Sequence, residues 1–508
     1  MTMTTIEQSL LADLDAHVHL LRDGSLTAVR PADDSEVVTS VGPLPATRLG
    51  SAAFRERHGV RYCYQSGAMA GGIASADLVI AMARAGFLAS FGAAGLTPEV
   101  IERALVRFAQ EIPGLPFACN LISSPTEPAL EQGAVEMFLR HQVRCVEASA
   151  FVALSPNIVR YRVAGLSRDR DGVVVAANRV IAKVSRPEVA ARFLAPPPES
   201  IVAGLLDAGL VTAEQAALAP FVPMADDITA EADSGGHTDR RALPVLLPMI
   251  IRQRDVHASR YAIRVGVGAA GGLGTPEAVA GAFTMGADYV VTGSINQACV
   301  EAGTSPAVRQ ALAGARLADF QMAPAADMFE LGAEIQVLRR NTMFPMRARR
   351  LHELYRRHDS MESIPAEERA KLEAEIFQQP IENVWREVTE FFSRRDPSQL
   401  DRAANDPKRR MALLFRWYLG MASRWASTGD ENRRLDYQIW CGPAIAGFND
   451  WAGSTYLADP DRRKVADVAL HLMKGAAFTT RAARLRAAGF SILGEHEWTY
   501  CPVDADRQ

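Results

Sequence analysis

Between about residue 60 and residue 300 the chain repeats one unit eight times: a short β-branched or apolar run, then a longer alanine-rich helical stretch. Parallel strands need a dozen or more residues to return to the same edge, so this alternation points to a parallel sheet with crossover helices. The runs are Val60–Gln65, Gly86–Phe91, Pro116–Ile122, Cys145–Ser149, Val180–Val184, Asp227–Ala232, Tyr261–Val265 and Asp288–Thr292. Eight closes a barrel, which makes an α/β chain with a (β/α)₈ TIM barrel the expected fold class. Helix starts between the runs agree with it. Ser75 stands where a cap belongs, and Thr97-Pro98-Glu99 puts a cap before proline and an acid.

Two regions depart from the repeat. The long gap between the fifth and sixth runs holds Pro196–Pro198 and helical patterns at Glu199–Ala208 and Thr212–Leu218. It reads as a helical insertion at about 190–220, expected as a flap over the active site, as long rim insertions often are. Beyond residue 337 come charged amphipathic helices at Met346–His358, Pro365–Phe377, Ile381–Arg394 and Arg462–Ala488, a C-terminal α-helical region. The expected division is therefore a lead-in of residues 1–55, a barrel of 56–336 and a helical region of 337–508. Seven arginines face one glutamate between Arg339 and Arg357, which suits either a solvated helix face or the dock of an acidic protein.

A net charge of -4 argues against nucleic acid as the main partner. Six scattered cysteines form no CxxC pair and fit a reducing compartment. Early acids (Glu7, Asp13, Asp15) do not suit a secretory signal, and the apolar stretch Met411–Ala422 is short and broken by Arg416. A cytoplasmic protein without membrane contact is expected.

Gly266, Gly268 and Gly271 match GxGxxG after a strand-like run, so a dinucleotide site has to be weighed. The acid at the right distance, Asp288, precedes its strand and falls at the wrong edge for a ribose. No Lys-Ser/Thr pair follows Gly274, which excludes a Walker loop. The remaining functional reading is the barrel phosphate cup, built from the loops after strands seven and eight. Gly271-Gly272-Leu273-Gly274-Thr275-Pro276 opens one helix, and Thr292-Gly293-Ser294 ends the next strand. In this reading Gly266 to Ala270 only ends a strand; a purely structural glycine turn is the alternative.

His237, in Ala232-Asp233-Ser234-Gly235-Gly236-His237-Thr238-Asp239, follows the sixth run and should sit at the carboxyl rim, where a near-neutral proton donor is useful. The glycines beside it suggest a backbone pressed against a ligand. Lys183 is the single lysine in the first 370 residues and lies in an apolar strand. It is either a cation for a ligand's developing negative charge or a side chain snorkelling to the strand end. Asn120 interrupts another apolar strand, paired with backbone or aimed at a ligand. Gly67-Ala68-Met69-Ala70-Gly71-Gly72 is a small-residue turn able to pass under a flat ring.

Gly67–Gly72, Cys119-Asn120, Ala182-Lys183-Val184, Asp233–Asp239, Gly271-Gly272, Thr292-Gly293-Ser294 and Trp440-Cys441-Gly442-Pro443 through Trp451 together resemble the 2-nitropropane dioxygenase-like (nitronate monooxygenase-like) flavin barrels, and more closely their PfaD-type branch. The resemblance covers nearly the whole chain. It implies a trans-acting enoyl reductase of polyketide or polyunsaturated fatty-acid synthases, with FMN as cofactor and NADPH as electron source. The substrate would be an enoyl thioester on an acyl carrier protein domain. It places the FMN phosphate on Gly271, Gly272, Gly293 and Ser294 and the ring near Ala68, Met69, Asn120 and Lys183, with His237 protonating the α-carbon. A nitronate-oxidising flavoenzyme and a non-catalytic docking protein of the synthase are the competing readings.

Overall fold

A computed structural model of the chain describes residues 6–125, 127–261, 263–489 and 499–504. Eight parallel strands close a barrel: β1 (Tyr64–Ser66), β2 (Leu88–Phe91), β3 (Ala118–Ile122), β4 (Cys145–Ser149), β5 (Arg179–Val184), β6 (Asp227–Glu231), β7 (Gly266–Ala270) and β8 (Tyr289–Thr292). The fold class is the one the repeat predicts. Crossover helices follow from local chemistry. Ala76–Arg84 is capped by Ser75, whose hydroxyl accepts from Leu78 N, and Pro276–Thr284 by Thr275, which accepts from Ala278 N.

The seventh strand differs from expectation. Tyr261–Val265 carries the stronger β propensity, yet the strand is the glycine run itself. The physical reason lies on its neighbours. A Cβ at Gly266 would lie 2.2 Å from Asp227 Oδ1, and one at Gly268 would lie 2.4 Å from Tyr289 Cζ. Asp227 and Tyr289, both buried, come from β6 and β8, so the strand between them has no room for side chains at these positions. The carbonyls of Arg264 and Val265 instead accept bonds from Arg57 (2.7 Å) and Arg254 (3.0 Å) at the amino edge. Asp288 lies at that edge too, accepting from Val267 N (2.8 Å) and pairing with Arg254 (3.2 Å) and Arg264 (3.0 Å), which leaves no ribose role for it.

The insertion forms helices Glu199–Asp207 and Ala213–Leu218, but it covers no rim. It follows the crossover helix Pro187–Leu194, whose end lies at the amino edge of the barrel, and it leads into the start of β6. There it packs on the helix Pro156–Val163, with Gln215 Nε2 donating to Ala164 O (2.8 Å). A flap over the active site would have to follow a strand.

After β8 the chain makes only the short helix Ser294–Gln297, then leaves the barrel. An antiparallel pair, Phe320–Pro324 with Glu334–Leu338, precedes helices Phe344–Arg357, Ala366–Lys371, Ile381–Arg395, Ser398–Ala404 and Pro407–Thr428. Among the described residues no helix is long and apolar enough to cross a membrane. The last helix, Val465–Ala487, returns to pack against Pro276–Thr284 and Ala76–Arg84, between which an eighth crossover helix belongs. The lead-in folds as a three-stranded antiparallel sheet in which Val18–Leu21 lies between Leu26–Thr27 and Val37–Val41. It is tied to the same helix by Arg481, which donates to Asp13 O (2.5 Å) and Ala16 O (2.8 Å). Among the described residues a large apolar core runs from Leu11 to Leu485, and a smaller one gathers Phe54, Leu88, Ile181 and Tyr289.

Candidate active site

The carboxyl ends of β4, β5 and β6 bring three charged side chains together. Lys183 Nζ, from β5, lies 3.0 Å from Glu231 Oε1 and 4.0 Å from Glu147 Oε1. Glu147 is buried and is also held by Gln65 Nε2 (2.5 Å), Ser90 Oγ (2.7 Å) and Ala68 N (3.2 Å). Burial raises the Glu147 carboxyl above the usual range, and the Lys183 charge pulls against that rise. Burial also opposes charge on Lys183, but Glu231 and Glu147 outweigh it and hold the ammonium above its ordinary value. Lys183 is thus a cation between two carboxylates rather than a lone one. The two glutamates gave no sequence signal, because nothing in Cys145–Ser149 or Asp227–Ala232 shows that they converge on one lysine.

Asn120 Nδ2 donates to Ser149 Oγ (2.6 Å) and Glu147 O (3.2 Å), so its amide nitrogen is satisfied within the protein. Ala68 and Met69 lie half-buried in the loop after β1. That loop is folded onto the next by Gly71 N to Ala94 O (2.7 Å) and Gly72 N to Gly92 O (3.0 Å). The Met69 carbonyl accepts from Ala74 N (3.1 Å) and occupies the space a Cβ on Gly92 would need.

Across the rim, the loops after β7 and β8 present main chain. Gly271 (φ +90) and Gly272 (φ +74) both turn through the left-handed region. A Cβ on Gly271 would strike Asp233 O at 2.7 Å, so this glycine packs against the loop after β6. Among the described residues nothing lies within 4 Å of a Cβ built on Gly272 or on Gly293. Gly293 is the N-cap of Ser294–Gln297 and no side chain caps that helix. Open space beside two glycines and a bare helix start is what a phosphate needs: close approach, N–H donors and a positive helix end.

The Trp440-to-Trp451 segment lies between this cup and His237. Gly442 N donates to Ser294 Oγ (2.9 Å). A Cβ on Gly274 would lie 1.9 Å from Ala444 O. On the other side, Cβ atoms on Gly235 and Gly236 would lie 2.6 Å from Cys441 Cα and 2.8 Å from the Trp440 ring. The paired glycines beside His237 are therefore pressed against this segment, not against a ligand.

His237 stands at the carboxyl rim in a short strand with Gly236 that pairs antiparallel with Ile335 and Gln336. Its Nε2 lies 3.1 Å from Asp327 Oδ1, and its ring meets Trp440 edge to face with centroids 5.6 Å apart. Gln336 Nε2 holds the loop at Asp233 Oδ1 (3.0 Å) and Ser234 O (2.7 Å). Asp239 closes it against the loop after β5 through Ser185 Oγ (2.6 Å) and Arg186 (2.8 Å). Asp327, Gln336 and Trp440 lie 90 or more residues from His237, which is why the local sequence did not name them as its partners.

A family model described as nitronate monooxygenase matches residues 55–361, and one described as the inserted helical domain of acyl-carrier-protein S-malonyltransferase matches residues 358–437. One component of the polyunsaturated fatty acid synthase of Thraustochytrium sp. is 47% identical over 488 residues, 94% of this chain and 32% of that protein. Polyketide biosynthesis protein PksE of Bacillus subtilis is 41% identical over 433 residues, 85% of this chain and 56% of that protein. The chain thus spans about a third and just over half of these relatives' lengths. The crystal structure of the enoyl reductase domain of MlnA, from the macrolactin biosynthesis cluster of Bacillus amyloliquefaciens, superposes with a TM-score of 0.83 at 37% identity. It covers 87% of this chain and 100% of that domain. The chain belongs to the nitronate monooxygenase family, in its PfaD-type branch.

Proposed function

We propose that the protein is a trans-acting, FMN-dependent enoyl reductase that reduces the 2,3-double bond of an enoyl thioester carried on the acyl carrier protein domain of a polyketide or polyunsaturated fatty-acid synthase, with NADPH as electron donor. The observation that carries this reading is one carboxyl rim that holds the glycine loops after β7 and β8, the Lys183 cation between two carboxylates and His237, in a chain similar to synthase components and to an enoyl reductase domain.

Bound FMN would supply hydride transfer from NADPH to the β-carbon. The residues present suit that group. Gly272 and Gly293 leave room for its phosphate. Ser294 Oγ already accepts the Gly442 amide and keeps its own O–H to donate to a phosphate oxygen. Lys183, with Ala68 and Met69, would border the ring: Ala68 N donates to Glu147, and the two carboxylates hold the ammonium in place. Asn120 would orient the β3–β4 side of the ring's surroundings through Ser149. His237 gives the α-carbon its proton, a contribution of about 10²–10⁴-fold in rate.

The purified protein is expected to bind FMN and show a flavin spectrum. A protein that stays colourless with added FMN would sink this reading. Anaerobic single-turnover mixing distinguishes the reductase from a nitronate-oxidising enzyme: an enoyl thioester should reoxidise the NADPH-reduced protein, whereas in a nitronate-oxidising enzyme a nitronate would reduce the oxidised protein. His237→Ala should keep FMN and accept electrons from NADPH while losing enoyl turnover.

A further inference from the structure

The groups that meet His237 itself come from chain that leaves the barrel after β8. Ile335 and Gln336 pair with its backbone, Trp440 meets its ring, and Asp327 Oδ1 lies 3.1 Å from Nε2. Asp327 sits in the connection between strands Phe320–Pro324 and Glu334–Leu338. Phe329, two residues on, is buried against the rings of His352 (5.2 Å) and Tyr355 (5.3 Å). The carboxylate is therefore carried on an anchored turn. Nδ1 has no protein partner among the described residues, whereas Nε2 has one.

We propose that Asp327 is the positioning residue of His237: it accepts the Nε2–H, fixes the neutral ring as the Nε2–H tautomer, and leaves Nδ1 as the atom that hands a proton to substrate. This rests on the reductase reading above and deepens it by assigning the donor atom. The proton balance closes without another group. The imidazolium loses Nδ1–H to the α-carbon, the ring remains neutral with Nε2–H on Asp327, and solvent returns a proton to Nδ1. The carboxylate stays ionised throughout, since partial burial favours the neutral acid but the His237 bond and charge outweigh it and hold Asp327 below the ordinary carboxylate range. The charged groups around the pair are accounted for. Arg416, from helix Pro407–Thr428, pairs with Glu330 (3.3 Å), Asp233 with Gln336, and Asp239 with Arg186.

The test uses the FMN-loaded protein with ¹⁵N-labelled histidine, His237 being assigned by His237→Gln. At alkaline pH the wild type should show Nε2 as the protonated nitrogen of His237, and Asp327→Ala should show a mixture of tautomers. In turnover of an enoyl thioester, Asp327→Ala should lose about 10–100-fold in kcat with KM changed less than about twofold, the size expected for a mispositioned catalytic group. Asp327→Glu should recover most of the loss. Circular dichroism and FMN content check that the variants are folded. An Nδ1–H tautomer in the wild type, or wild-type kcat in Asp327→Ala, would overturn the proposal. Full turnover by His237→Ala would instead overturn the proton-donor reading, and the tautomer measurement would then decide the Asp327 pairing by itself.

Discussion

The two sides of the carboxyl rim are made of different material. Between β7 and β8 the site is main chain: glycines, helix starts and the closely packed 442–444 segment. Between β4 and β6, and in the loop that carries His237, it is side chain: Lys183, Glu147, Glu231, His237 and their partners. The first kind of construction should be intolerant of one added carbon and indifferent to pH. The second should tolerate small changes of volume but not the loss of a charge, and pH should move it.

Lys183→Met gives the largest contrast. It leaves Glu147 buried beside Glu231 with no cation, and breaking such a pair from one side costs about 3–5 kcal/mol. Burial raises the folded-state value of Glu147 above its ordinary 4.5, so the carboxyl's contribution is fully present below that value and is lost as pH rises through the folded one. Without Lys183 the folded value rises further and the loss deepens. Urea melts should therefore find a deficit of about 3 kcal/mol near pH 8 that shrinks to under ~1 kcal/mol near pH 5. An equal deficit at both pH values would break the comparison.

Gly274→Ala tests the other side. Its Cβ would lie 1.9 Å from the Ala444 carbonyl, and because the obstacle is backbone, the loop or the helix Ala444–Ala452 must move. Overpacking of this kind costs about 1–3 kcal/mol, and here the same deficit is expected at pH 5 and pH 8. FMN retention should fall with it.

Gly293→Ala separates folding from binding. Among the described residues its Cβ would meet nothing within 4 Å, so no neighbour has to move, and stability should change by less than about 1 kcal/mol. The added methyl group enters the space assigned to the phosphate, so FMN should bind at least about tenfold more weakly, an effect of roughly 1.4 kcal/mol. Fluorescence titration of the apoprotein measures it. Unchanged affinity would move the phosphate away from this loop.

The contrast also explains what the sequence made legible. A main-chain cup is written locally: Gly271–Pro276 and Thr292–Ser294 are short, and their spacing after strands is visible in one pass. Even there the register slipped, because the glycines of β7 are selected by Asp227 and Tyr289 on the neighbouring strands rather than by their own propensity. The side-chain half depends on long-range contacts. Lys183 stood out because lysine is scarce, but its partners lie 36 residues before it and 48 after it. The insertion was visible as helices, yet its place at the amino edge follows from which element it succeeds, a helix and not a strand.

The smallest effect concerns the loop that joins the two sides. Asp239 ties the His237 loop to Arg186 and Ser185, and the bond from Arg186 pulls its carboxyl down to about 2. Its contribution is present above the ordinary carboxylate value and is lost as pH falls from there towards about 2. The tie should thus hold over the whole range in which Lys183→Met changes its deficit. Because Arg186 is more than half exposed, solvent screens the pair, and Asp239→Asn should cost less than about 1 kcal/mol. If Asp239 only pins the loop, turnover should fall by no more than a few fold, with the same factor at pH 6 and pH 8. A larger, pH-dependent loss would mean that the loop carries proton chemistry beyond His237, and the side-chain half of the rim would have to be extended to include it.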